Sequence, residues 1–154
     1  MTTKRFSIRF LSEEVSAEDL RLLLGVSEAA YGGLVLGSHQ ERFLTPFSFW
    51  NKKRYRNQWK EGLRRLVTEA RSCLITAITD PNKSACLTWW PMYRLGDQVH
   101  IQNHLLVYSD LPTPFNQANF YTHIPERETV SESSEKISEW TVPLRDIQAF
   151  LNSR

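Results

Sequence analysis

From Arg5 to Leu11, Phe6, Ile8 and Phe10 alternate with charged or small residues, the period of a half-buried strand. Asp19 to Leu24 reads as a short helical turn. Ala29 to Leu44 has Gly32, Gly33 and Gly37 set around Leu34, Val35 and Leu36, and carries no assignable period. After Pro46 the pattern becomes helical: Tyr55, Trp59, Leu63, Leu66 and Ala70 recur at spacings of three and four, with Ser48 available as a cap. Lys53, Arg56, Lys60, Arg64 and Arg71 follow the same spacing on other faces, which predicts an amphipathic helix with a basic exterior. Gly62 inside that helix costs about 1 kcal/mol relative to alanine.

Cys73 to Thr79 is rich in β-branched and apolar residues and stops at Asp80-Pro81-Asn82-Lys83, a turn sequence. Ala85 to Arg94 ends at Gly96-Asp97, and Val99 to Val107 alternates, so three consecutive antiparallel strands are predicted. Pairing the last two across Gly96-Asp97 places Trp90, Met92, Val99, Ile101, Leu105 and Val107 on one face, the expected core. The opposite face then carries Trp89, Tyr93, His100, Gln102 and His104. Pro112 and Pro114 open a loop, Phe115 to Tyr121 reads as a short helix, and Ser131 to Glu135 as a polar, mobile connection. Ile137 to Val142 is a last strand. Pro143 opens a closing helix with Leu144, Ile147, Phe150 and Leu151 on its apolar stripe. With no internal repeat and no boundary, residues 1–154 are read as one α+β domain. Its expected form is a twisted, mainly antiparallel β-sheet packed by a long amphipathic helix and a C-terminal helix.

Composition changes this picture little. The 154 residues are 41% hydrophobic and 23% charged, ordinary for a globular chain and incompatible with disorder throughout. No apolar run reaches the roughly 18 residues of a membrane span, and no signal-peptide pattern opens the chain, so a cytoplasmic protein is expected. Cys73 and Cys86 lie in apolar runs and are expected to be free thiols.

Charge is more telling. The net charge is only +2, yet Asn51 to Arg71 holds eight basic and two acidic residues, and Asp110 to Asp146 seven acidic and three basic. The molecule should be electrically two-sided.

The search for chemistry returns little. His100 and His104 have the spacing of a zinc-protease helix, but Ile101 stands where the general-base glutamate belongs. On a strand they lie about 13 Å apart, too far to share a metal. The glycines are not followed by a Lys-Ser or Lys-Thr pair, and no GxSxG elbow is present. No metal, cofactor or catalytic residue is therefore assigned. Tyr93, His100 and His104 are the groups to test if the protein were an enzyme. Glu126, Glu128, Glu132, Glu135 and Glu139 crowd around a polar connection, either as a solvated face or as an acidic surface for a basic partner. The basic helix could hold phosphates through Lys53, Arg56, Lys60 and Arg64. Its Trp59 belongs to the buried stripe, however, and direct nucleic-acid binding is the alternative rather than the main expectation.

Several phrases, read in order, resemble the immunity proteins of bacterial contact-dependent growth inhibition systems, the CdiI proteins. They are Phe47-Ser48-Phe49-Trp50, Gln58-Trp59-Lys60-Glu61-Gly62, Ser72-Cys73-Leu74-Ile75, Trp89-Trp90-Pro91-Met92-Tyr93, Gln102-Asn103-His104-Leu105-Leu106 and Lys136-Ile137-Ser138-Glu139-Trp140, with Asp146-Ile147 and Phe150-Leu151 closing the series. The resemblance implies a small cytoplasmic protein, without enzymatic activity, that binds and blocks the C-terminal toxin domain of its cognate CdiA. Such toxins are often nucleases, including tRNA-cleaving ones. The acidic region would then stand in for phosphates, with Trp89, Tyr93, His100 and His104 as alternative anchors, Trp89 and Tyr93 having a core position under a packed helix as their equal alternative.

Overall fold

The computed structural model describes residues 5–23 and 25–153. Leu24, the expected end of the short helix, lies outside the described residues, as do Met1 to Lys4 and Arg154. Strands β1 (Phe6–Phe10), β2 (Ala29–Leu36) and β3 (His39–Pro46) form an antiparallel sheet in that order. The stretch with no assignable period is thus a hairpin, turning at Gly37 with φ of +65°. Its pattern was hidden because Gly32 has no side chain to show. A Cβ there would lie 2.2 Å from the Phe43 ring on the neighbouring strand, so glycine makes room for the aromatic.

Helix α1 (Ala17–Leu22) separates β1 from β2, and α2 (Lys52–Arg65) follows β3. The cap of α2 is Asn51, whose side chain accepts from the Arg54 amide at 2.8 Å, and not Ser48 as the sequence suggested. Tyr55, Trp59, Leu63 and Leu66 are buried as expected, but Ala70 lies beyond the helix and is exposed.

The second sheet comprises β4 (Arg71–Ala77), β5 (Cys86–Leu95), β6 (Gln98–Gln102), β7 (His104–Val107) and β8 (Glu139–Pro143). Its order is β4-β5-β6-β8, with β7 also pairing β5. The expected single strand from Val99 to Val107 is divided at Asn103. That break lies where β5 carries Pro91, which has no N–H for the ladder. The chain closes with α3 (Leu144–Asn152).

Trp90, Met92, Val99 and Ile101 are buried on the expected face, where Ile101 pairs with Trp140 and Val99 with Val142. Trp140 stacks on His39 of the three-stranded sheet, so the two sheets meet on this side. Leu105 is 62% exposed instead, and the buried residue of β7 is Leu106, paired with Leu87 on the other face.

Helix α2 lies along the open edge of β4. The Gln58 side chain accepts from the Ile75 amide at 2.7 Å and donates to the Cys73 carbonyl at 2.9 Å, so its amide takes the place of a neighbouring strand. The Trp59 indole donates to the Ile75 carbonyl at 2.7 Å, and the Tyr55 hydroxyl accepts from the Ile78 amide at 3.1 Å. Buried polar groups on the helix thus meet the backbone groups a strand edge would otherwise leave unpaired.

Candidate partner-binding face

The second face of the five-stranded sheet is covered by the connection between β7 and β8, which packs Phe120 and Ile124 into the core. Trp89 and Tyr93 are only 1% and 4% exposed beneath it. Neither is the surface anchor the sequence allowed for, because the covering segment removes both from solvent. The Tyr93 hydroxyl donates to the Pro125 carbonyl at 3.0 Å, and burial pushes its pKa up to about 12.

Next to them lies a chain of polar contacts. Gln102, 2% exposed, donates to the Glu128 carbonyl at 2.9 Å and to the Glu139 carboxylate at 2.8 Å. Its oxygen is 2.6 Å from His104 Nε2, and since an amide oxygen only accepts, that nitrogen carries the proton. Arg127 grips Glu139 with two bonds, at 2.9 and 2.6 Å. His100 Nδ1 lies 2.8 Å from the Thr141 hydroxyl and 3.7 Å from Glu139. The hydrogen bonds from Arg127 hold the Glu139 carboxyl below its ordinary pKa. Burial, with Arg127 nearby, lowers the pKa of His100, against a smaller opposing pull from Glu139. Burial also lowers that of His104.

These contacts divide the predicted residues. Glu139 is held by Arg127 and Gln102 and belongs to the scaffold, as do His100 and His104, both half-buried. Glu126, Glu128, Glu132 and Glu135 are exposed. Glu126 and Glu128 flank Arg127, so the pinned guanidinium and the Glu128 carbonyl bound by Gln102 fix the backbone while both carboxylates face water. Glu132 and Glu135 lie on a tight turn. It is closed by a bridge between Val130 and Lys136 and by the Ser131 amide donating to the Glu135 carbonyl at 2.8 Å. The connection expected to be mobile is therefore hydrogen-bonded. Sequence reasoning passed over Arg127, whose signal was a single cation between two glutamates in an acidic run.

Chemically, this face holds carboxylates in place and has its histidines and tyrosine engaged in hydrogen bonds. The family model described as the CdiI N-terminal domain matches residues 45–150, and the chain belongs to that family. It is similar to the immunity protein CdiI of Enterobacter cloacae subsp. cloacae, 27% identical over 121 residues that cover 78% of this chain and 83% of that one. A solved chain of the CdiA-CT/CdiI toxin and immunity complex from Enterobacter cloacae is similar over 96% of this chain and 97% of its own, with a TM-score of 0.81 and 26% identity.

Proposed function

We propose that the protein is an immunity protein that binds the C-terminal toxin domain of a cognate CdiA and neutralises it by occlusion, without turnover. The observation that carries this reading is the likeness, over nearly the whole chain, to a chain of a toxin and immunity complex. The acidic face supports it further. Glu126, Glu128, Glu132 and Glu135 are presented on a hydrogen-bonded segment, so little ordering cost opposes binding. A toxin that acts on nucleic acid has a basic substrate site, and fixed carboxylates complement it as phosphates do. No residue here is poised for catalysis in this reading. Tyr93 keeps its proton, and His100 and His104 serve the contacts that hold the acidic segment.

Charge reversal tests the surface. Glu126→Lys, Glu128→Lys and Glu132→Lys together should slow association with the toxin domain about tenfold or more at low salt, with little change in dissociation. An unchanged association rate would remove the acidic segment as the docking surface. Trp89→Ala, by contrast, should lower stability first, because its side chain is inside.

A further inference from the structure

A groove of about 1240 Å³ runs between β1, α2 and α3. Arg5 and Arg9 of the β1 side and Arg56, Lys60 and Arg64 of α2 line it, against one carboxylate, Asp146. All five cations are exposed, and among the described residues none is in an ion pair. Phe10 and Phe150, both half-buried, give the groove an apolar floor, and the Arg56 guanidinium lies 5.5 Å from the centre of the Phe10 ring.

Residues 126–136 carry the opposite pattern. Glu126, Glu128, Glu132 and Glu135 are exposed there, together with one exposed ammonium, Lys136, and one exposed apolar side chain, Val130. Arg127, the other cation of the stretch, is held by Glu139. Among the described residues, Lys136 and the four carboxylates are in no ion pair. The segment is fixed to the five-stranded sheet through Gln102 and Glu139, and none of its residues lines the groove, so the two patterns can meet only between molecules.

We infer that the groove receives residues 126–136 of a second copy of this chain, so that copies join head to tail through unlike patches. Carboxylates set against the five cations, Lys136 against Asp146, and Val130 over the Phe10 and Phe150 floor give each class of group its complement. The segment is already hydrogen-bonded, so docking it orders little new backbone. With a net charge of only +2, little overall repulsion opposes the contact. A nucleic-acid strand fits less well, because it would set phosphate against Asp146 and leave the apolar floor unused. The Trp59 ring is also buried against Phe10 and Phe43, so it has no free face for a base. The contact covers the carboxylates proposed to meet the toxin, and on that reading the toxin domain displaces the second copy.

The test is sedimentation equilibrium of the whole protein, nuclease-treated and without toxin, at about 20 mM and about 300 mM salt. A mass that rises with protein concentration at the lower salt and returns to that of one chain at the higher is expected. Arg9→Gln/Lys60→Gln and Glu126→Gln/Glu128→Gln/Glu132→Gln should each stay monomeric. An equimolar mixture of the two, both folded by circular dichroism, should recover a species of two chains, because each variant keeps the half that the other lacks. Lys53→Gln/Lys83→Gln, at exposed positions outside the groove, should assemble as the unaltered protein does. A mass of one chain at every concentration, no recovery in the mixture, or equal loss in the lysine control would overturn the assignment. So would assembly seen only before nuclease treatment, which would mean copies bridged by nucleic acid. With no toxin present, the outcome is separate from that of neutralisation.

Discussion

Gly62 shows how a residue that looks unfavourable locally is required by its neighbours. In an isolated helix, alanine there would gain about 1 kcal/mol. In the folded chain a Cβ would lie 2.3 Å from the Cys73 carbonyl oxygen, on the strand whose edge α2 covers. Helix and strand must separate to accept it, and separation lengthens the Gln58 and Trp59 bonds to the same strand. Gly62→Ala is therefore expected to destabilise by about 2 kcal/mol, lowering the melting temperature by roughly 4–8 °C as read by thermal denaturation. A neutral or stabilising result would mean that α2 does not sit this close to β4. Gln58 itself was not legible as a core residue. Its helical position was clear, but a polar side chain is read as solvent-facing until the backbone groups it satisfies are seen.

At the scale of elements, the polar contacts between β6, β8 and the acidic segment make stability depend on pH. The pKa values of His100 and His104 are lowered from 6.5, so the folded state prefers both rings neutral. As pH falls through that value the unfolded chain takes up the protons first, and stability declines. Glu139 adds a second loss at lower pH: its pKa is held below 4.5, so its contribution is complete above that value and disappears as pH falls through the depressed one. Denaturant unfolding should give a flat free energy from about pH 8 to 7 and a fall below about 6.5. A His100→Gln/His104→Gln variant should reduce the first decline, leaving the share of His123, whose pKa burial also lowers, and keep the acid one, and an unaltered profile would place the protonation elsewhere. The strands of this region were legible from their alternation. Their burial was not, since only the connection from Pro112 to Ser138 decides that Trp89 and Tyr93 lie inside while Leu105 lies outside.

Over the whole molecule, the two-sided charge read from the sequence becomes two separate surfaces. One is a segment of exposed carboxylates braced by Arg127 and Gln102, and the other is a cation-lined groove between β1, α2 and α3. The α+β class, α2, α3 and the consecutive strands β4 and β5 followed from hydrophobic periodicity. Strand β1 of the three-stranded sheet followed as well, but the β2–β3 hairpin that completes it did not, because its glycines carry no side-chain pattern. Nor could Arg5 and Arg9 be joined to the basic helix until that sheet brought β1 against it. Among the described residues no helix is long and apolar enough to cross a membrane. The central claim is neutralisation, and it is tested most directly by expressing the C-terminal toxin domain of the cognate CdiA in cells with and without this protein. Growth arrest relieved by the protein, with a complex that co-purifies, is the result expected. Arrest that persists despite abundant folded protein, with no complex, would contradict the account.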